Sequence, residues 1–291
     1  MDLAGPGIFS QIVIALLITA AIFLLYMVLY QLYKIYNGYS NLRIAIVPNT
    51  ASTCSSCSAG LSTCSNPCNP KCLTLPISEN QLTGIEFSYT GFIYINPSTD
   101  DDNGGWKTIF YKGYEKSIYP LMAPGVFISG ANYNNGTPTL RVVMNTYDNW
   151  FNAIDVNQVP FNKWIHLAIV LRNNAMEIYI NGNLANKQSF KGTLPYQNYE
   201  GVQVAPPTKT EPEFDNSQKT TAYKGIPPGE NMNVTGKFDG YISRLYYFPY
   251  AITYSEIMSM MNVGPSQTME ICNNLDKPPY LIDSWWTQTK N

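Results

Sequence analysis

His166 is the only histidine in the chain and stands in the apolar run "NKWIHLAIVLRNNAMEIYINGNL". An imidazole can act as a general base, a metal ligand or a buried hydrogen-bonding group. A metal site needs partner ligands, and there is no second histidine to supply one. A Ser/His/Asp nucleophile set would need the ring open to a serine. Periodicity decides between these roles. Ile165, Leu167, Ile169 and Leu171 fall on one face of a strand, and Trp164, His166, Ala168 and Val170 on the other. Both faces are mostly apolar, so the strand is expected to be covered on both sides. His166 is therefore read as a structural residue hydrogen-bonded inside the fold. Trp164 is read as a covered ring whose truncation would cost about 3–5 kcal/mol.

Carboxylates offer two further chemistries. Glu211-Pro212-Glu213-Phe214-Asp215 has the period-2 spacing that puts three acids on one face of a strand, where one could serve as a glycosidase nucleophile and another as its acid. Pro212 is out of place in a central strand, and the stretch lies in a long Pro-rich segment, so it reads as a solvated acidic loop. Asp100, Asp101 and Asp102, followed by Asn103 and Gly104-Gly105, form a candidate calcium loop, with Asp148 or Asp155 as further ligands. The bland reading is a polar hairpin tip. No other cofactor and no catalytic residue is expected.

Six cysteines form the third constellation. Cys54, Cys57, Cys64, Cys68 and Cys72 lie in "CSSCSAGLSTCSNPCNPKC", and Cys272 lies near the C-terminus. Cys54-x-x-Cys57 could open a zinc site, but the later spacings do not repeat the paired pattern of a zinc ribbon. The even count favours disulfides, with Cys272 tying the tail back to the cluster and the connectivity open. Trp106, Tyr133 and Trp150 stand near expected loops and are candidate glycan contacts. Asn135 and Asn233 open Asn-x-Thr triplets and are candidate glycosylation sites.

The elements that must carry these residues are mostly strands. Charged residues are 13% of the chain, about half the usual share, while there are 22 tyrosines, 20 glycines and 20 prolines. Runs of Lys and Arg are lacking, which argues against nucleic acid as a partner. "GIEFSYTGFIYIN", "WKTIFYK", "GVFIS" and "TLRVVMN" each read as a strand bounded by Gly, Pro or Asn. Arg172-Asn173-Asn174-Ala175 reads as a turn, and Asn181-Gly182 as a type I′ hairpin. After Tyr196 comes the long excursion "EGVQVAPPTKTEPEFDNSQKTTAYKGIPPGENMNVTG". "KFDGYISRLYYFPYAITYSEIMSMMNVGP" then supplies a last strand, a turn at Pro249 and a short helix from Thr253 to Asn262, with Thr253 and Glu256 as a capping box.

The N-terminus differs. Residues 8–33 carry no charge and would be about 39 Å long as a helix, against a hydrocarbon core of about 30 Å. A membrane-spanning anchor is expected, not a cleaved signal peptide, because no basic residue precedes the run and no small-residue cleavage site follows it. Asp2 rules out N-myristoylation. Tyr26, Tyr30, Tyr33 and Tyr36 read as an interfacial aromatic belt. Lys34 and Arg43 follow the span, which places the C-terminal part on the cytosolic side, whereas the two Asn-x-Thr triplets point the other way.

"FNKWIHLAIVLRNNAMEIYINGNL" and "FDGYISRLYYFPYAITYSEI", in this order and spacing, resemble the concanavalin A-like lectin/glucanase superfamily in its laminin-G/pentraxin-like branch. The resemblance covers about 190 residues and implies an antiparallel jelly-roll β-sandwich. Together with "PPYL" and "WW" between Pro278 and Trp286, the motifs are more closely similar to domains in virion proteins of large double-stranded DNA viruses. That similarity implies a minor capsid or internal-membrane component, with the C-terminal domain on the cytosolic, shell-facing side and capsid or other virion proteins as partners. A thiol oxidase of such viruses would allow disulfides there. Superfamily members also bind glycans, and its glucanases use alternating carboxylates. The expected organisation is an all-β fold preceded by one transmembrane helix: 1–36 helix, 37–75 Cys-rich stalk, 76–264 sandwich and 265–291 tail.

Overall fold

The computed structural model describes residues 7–41, 43–53, 75–81, 84–99, 105–114, 121–130, 138–149, 151–190, 192–206, 232 and 234–269. They form two compact units, which divide between Arg43 and Ile44.

The first unit is a helix, α1 (Ile8–Asn41). Its stretch Ser10–Leu32 is long and apolar enough to cross a membrane. The apolar side chains of that stretch are exposed, as lipid-facing residues would be.

The second unit is a sandwich. Its strands in chain order are β1 (Ile44–Val47), β2 (Ala51–Ser52), β3 (Glu79–Gln81), β4 (Gly84–Ile95), β5 (Trp106–Lys112), β6 (Gly125–Ser129) and β7 (Thr139–Met144). Then come β8 (Asn152–Asn157), β9 (Trp164–Arg172), β10 (Ala175–Ile180), β11 (Asn183–Ser189), β12 (Val202–Val204), β13 (Val234–Lys237) and β14 (Gly240–Phe248). A helix, α2 (Tyr254–Val263), follows. One sheet has the order β1-β14-β4-β9-β10-β11, with β2 on β14 and β3 on β4. The other has β12-β5-β6-β7-β8, with β13 on β5. All pairings are antiparallel except β13 with β5.

The inner faces meet as period-2 alternation demands. Phe87, Tyr89, Ile93 and Ile95 of β4 and Ile165, Leu167, Ile169 and Leu171 of β9 pack on Ile109, Val126, Leu140 and Val142 of the opposite sheet. The outer face of the first sheet is covered in part. α2 lays Ile257 on Ala168, Val170 and Phe248. It starts at a complete capping box between Thr253 and Glu256. The turns follow the expected chemistry: Asn173, Asn174, Asn181 and Gly182 all have positive φ.

The sandwich has two distinguishable ends. At the entry end, β1 begins, and the segments at 76–78, 112–114, 145–149 and 194–201 gather. Gly113 N–H donates to Gly201 O at 3.1 Å, Tyr147 N–H to Leu194 O at 3.1 Å, and Ser78 N–H to Gln197 Oε1 at 2.8 Å. Tyr247, the partner of Ile44, donates its hydroxyl to Pro76 O and accepts from Gln197 Nε2, both at 3.0 Å. At the far end lie the last residues of β4, the first of β9 and β14, and the Asn181-Gly182 turn. Asn96 N–H donates to Asp239 O at 2.9 Å there, and Asn162 N–H to Ile95 O at 2.9 Å.

Two boundaries differ from the sequence reading. α1 runs to Asn41, and β1 and β2 pair with β14, so the sandwich starts inside the stretch read as a stalk. "IAIV" is short and set among Ser, Thr and Asn, and only its partner across the sheet makes it a strand. At the other boundary, Ser266 N–H donates to Ser243 Oγ at 2.8 Å, and Thr50 bridges Met269, so residues 265–269 pack on the sandwich too.

Candidate functional site

His166 is 1% exposed. Its Nε2 lies 2.7 Å from Thr90 Oγ1 on the neighbouring β4, and its ring packs on Phe92 with centroids 4.9 Å apart. Its backbone N–H donates to Asn181 Oδ1 at 2.8 Å, and Asn181 N–H donates back to His166 O at 2.8 Å. The residue thus ties β9 to the hairpin turn. Burial pushes its pKa down to about 4, so the ring is neutral at physiological pH. It is a structural histidine, as the periodicity implied.

Two residues before it the outer face opens. Trp164, Tyr94 and Tyr241 are cross-strand neighbours on β9, β4 and β14, all facing outward and all partly exposed. Tyr94 packs on Trp164 at 5.5 Å and 61°, and on Tyr241 at 5.9 Å and 68°. Trp164 was expected to be covered. Here it stands at the sheet's end, and its truncation should cost about 1–2 kcal/mol, not a core penalty. The rim beside the row is tied by hydrogen bonds. Asp239 accepts from the Ser98 hydroxyl, Thr99 Oγ1 donates to Asp239 O at 2.9 Å, and Gly240 N–H donates to Thr53 Oγ1 at 2.8 Å. The row brings together residues far apart in sequence. Its local signal was only that Tyr94 and Tyr241 fall on the outward phase of aromatic strands.

Trp106 sits inside β5, not on a loop. It is 3% exposed, with the Arg141 guanidinium 4.3 Å above its ring, so it has no open face for a sugar to stack on. Arg141 also holds both carboxylate oxygens of Asp155 at 2.7 Å. Asp148 is exposed at the entry end. Among the described residues no group of three or more His, Cys, Asp or Glu side chains converges to hold a metal. Asp100, Asp101, Asp102, Tyr133, Trp150, Asn135, Asn233, Glu211, Glu213, Asp215 and the six cysteines lie outside the described residues.

Residues 74–215, just under half the chain, match the family model of the concanavalin A-like lectin/glucanases superfamily. The two-layer antiparallel sandwich agrees with that match. The sandwich is a mostly antiparallel jelly roll of two sheets. The match leaves out β1, β2, β13, β14 and α2, which pack with the matched strands. Among solved structures, a botulinum neurotoxin serotype D binding domain is 14% identical with a TM-score of 0.41, over 66% of this chain and 40% of that one. A native heptameric SAP-like pentraxin from Limulus polyphemus is 12% identical with a TM-score of 0.38, over 63% and 73%. A structure of botulinum neurotoxin type C, described with two ganglioside molecules, is 16% identical with a TM-score of 0.37, over 62% and 36%. The chain thus spans about two fifths of the toxin chains' length. Curated protein sequences give no match.

Proposed function

We propose that this chain is a non-catalytic, membrane-anchored structural protein of a virion, a minor capsid or internal-membrane component. Its sandwich docks on capsid or neighbouring proteins from the cytosolic, shell-facing side. The virion setting rests on the sequence resemblance, and the anchor on the uncharged run at residues 8–33. The observation that supports docking is the Trp164–Tyr94–Tyr241 row. Aromatic side chains held rigid on a surface lose little entropy on binding and are favoured as interface anchors. The rings are steeply tilted to each other, so they form an uneven relief with no flat strip for successive sugars to stack on. That relief suits interdigitating protein side chains.

A membrane-tethered glycan-binding module is the second reading, favoured by the single open Trp164 ring. A glycoside hydrolase is remote. Trp164→Ala separates the first two. The protein-docking reading expects about a 30-fold or greater loss of affinity for the virion partner, with the fold kept. A glycan array signal that vanishes in the same variant would replace it with the second reading. The anchor has its own test: after alkaline carbonate extraction the full chain is expected to stay in the membrane fraction. Release into the supernatant would refute it.

A further inference from the structure

The rings of Tyr94, Trp164 and Tyr241 tilt against each other by 61° and 68° and stay partly exposed. Such an aromatic relief is the surface that takes proline side chains, and a proline-rich segment is already extended and loses little freedom on docking. This chain carries such a segment: residues 278–286 read "PPYLIDSWW". The last described residue before it is Met269. Met269 bridges Thr50 in parallel, and Thr50 N–H donates to Thr268 O at 2.9 Å. From Thr50 the chain runs along β14 to Thr53, whose N–H donates to Gly240 O at 2.9 Å, at the end of the sheet where the row stands. The parallel pairing therefore sends the chain from Met269 toward the row. It leaves on the same face as well: Ser266 N–H donates to Ser243 Oγ at 2.8 Å, and Ser243 shares the outward phase of Tyr241.

We propose that residues 278–286 dock in cis on the Trp164–Tyr94–Tyr241 row, so that a shell protein must displace them. The inference rests on the docking reading above and names what covers the row beforehand. Chain length allows it. Trp164 on β9 lies four strand spacings from Met269, about 19 Å across the sheet. Tyr280 follows Met269 by eleven residues, which reach about 36 Å when extended. The other Pro-Pro pairs, Pro206-Pro207 and Pro227-Pro228, lie between β12 and β13, and both of those strands pair with β5 in the opposite sheet. Only residues 278–286 leave the sandwich beside the row. Tethering also favours the contact. A short linker supplies a local concentration of about 1 mM, so a contact of only about 0.1 mM affinity is closed roughly nine-tenths of the time. A partner that binds the open row would then bind about tenfold more weakly than to a chain without the segment.

The test uses the full chain in detergent micelles, with the photoreactive residue benzoylphenylalanine in place of Tyr241, Tyr280 or, as a control, Leu184. Leu184 is 52% exposed on the edge strand β11. Peptide mapping after illumination is expected to join position 241 to residues 278–286. Position 280 is expected to join peptides carrying Tyr94, Trp164 or Tyr241, in both cases within one chain. Both adducts should fall about tenfold when Trp285→Ala and Trp286→Ala are combined, and position 184 should give neither. Consumption of the benzophenone with no such adduct from either position would overturn the proposal. So would adducts from position 241 to residues 206–233, or adducts that join only two copies of the chain. The docking reading fails separately: a row that meets residues 278–286 in the isolated chain but no shell protein in virions would refute that reading and leave the cis contact standing.

Discussion

Replacing His166 by aspartate is expected to destabilise the sandwich by about 3–5 kcal/mol, a large part of a total of about 5–15 kcal/mol. The ring is sealed between Phe92 and the covering segments, and Thr90 Oγ1 is the side-chain partner the structure gives it. A carboxylate there must either ionise without a counter-charge or stay protonated with too few partners. Glutamine keeps a donor and an acceptor, so His166→Gln should cost about 1–2 kcal/mol. The imidazole also predicts a pH dependence. At pH above the ordinary value of 6.5, folded and unfolded chains are both neutral at this position. As pH falls, the unfolded chain binds a proton that the folded sandwich refuses until about pH 4. Stability should therefore fall across that window by about 3 kcal/mol, and His166→Gln should flatten this loss. Thermal melts at several pH values read both effects. A His166→Asp protein that melts within a degree or two of the parent would show that the ring is not a core residue.

Gly240→Ala is expected to have the second largest effect. Gly240 has φ of +156°, and a Cβ added there would lie 1.9 Å from the Tyr94 carbonyl oxygen. That oxygen belongs to the neighbouring central strand, so relief requires moving backbone, not turning a side chain. The expected cost is about 3 kcal/mol or more, or a drop in Tm of roughly 6–12 °C. Gly192 is the control: its φ is +81°, but nothing lies within 4 Å of an added Cβ. Gly192→Ala should cost only the left-handed backbone penalty of about 1–2 kcal/mol. Equal melting temperatures for the two variants would contradict the close approach of β14 to β4. Because Tyr241 follows Gly240 and packs on Tyr94, the clash should also disturb the aromatic row.

Much of the sandwich is legible locally. Strands such as "WKTIFYK" and "GVFIS" are bounded by turn residues and stay apolar, and the Asn-Gly turn needs no tertiary help to declare itself. β1, β2 and β8 are different. "IAIV" is too short to stand alone, and "NAIDVN" is half polar, so both are strands only because a neighbour supplies the hydrogen bonds. His166 was readable because one strand's periodicity settles which face is enclosed. Trp164 was not, since being covered depends on where α2 and residues 264–269 stop across the sheet. The aromatic row joins positions 94, 164 and 241, and no local pattern links them. The entry end likewise depends on four distant segments that meet only in the folded sandwich.

The central claim is that the Trp164–Tyr94–Tyr241 row docks on a protein of the shell. Its most direct test is cross-linking in purified virions that carry the chain with benzoylphenylalanine in place of Trp164. The account predicts a covalent adduct to a capsid or internal-membrane protein at that position, absent when the probe replaces Leu184. A chain missing from purified particles would contradict the account, as would a row that gives no protein adduct and binds an oligosaccharide instead.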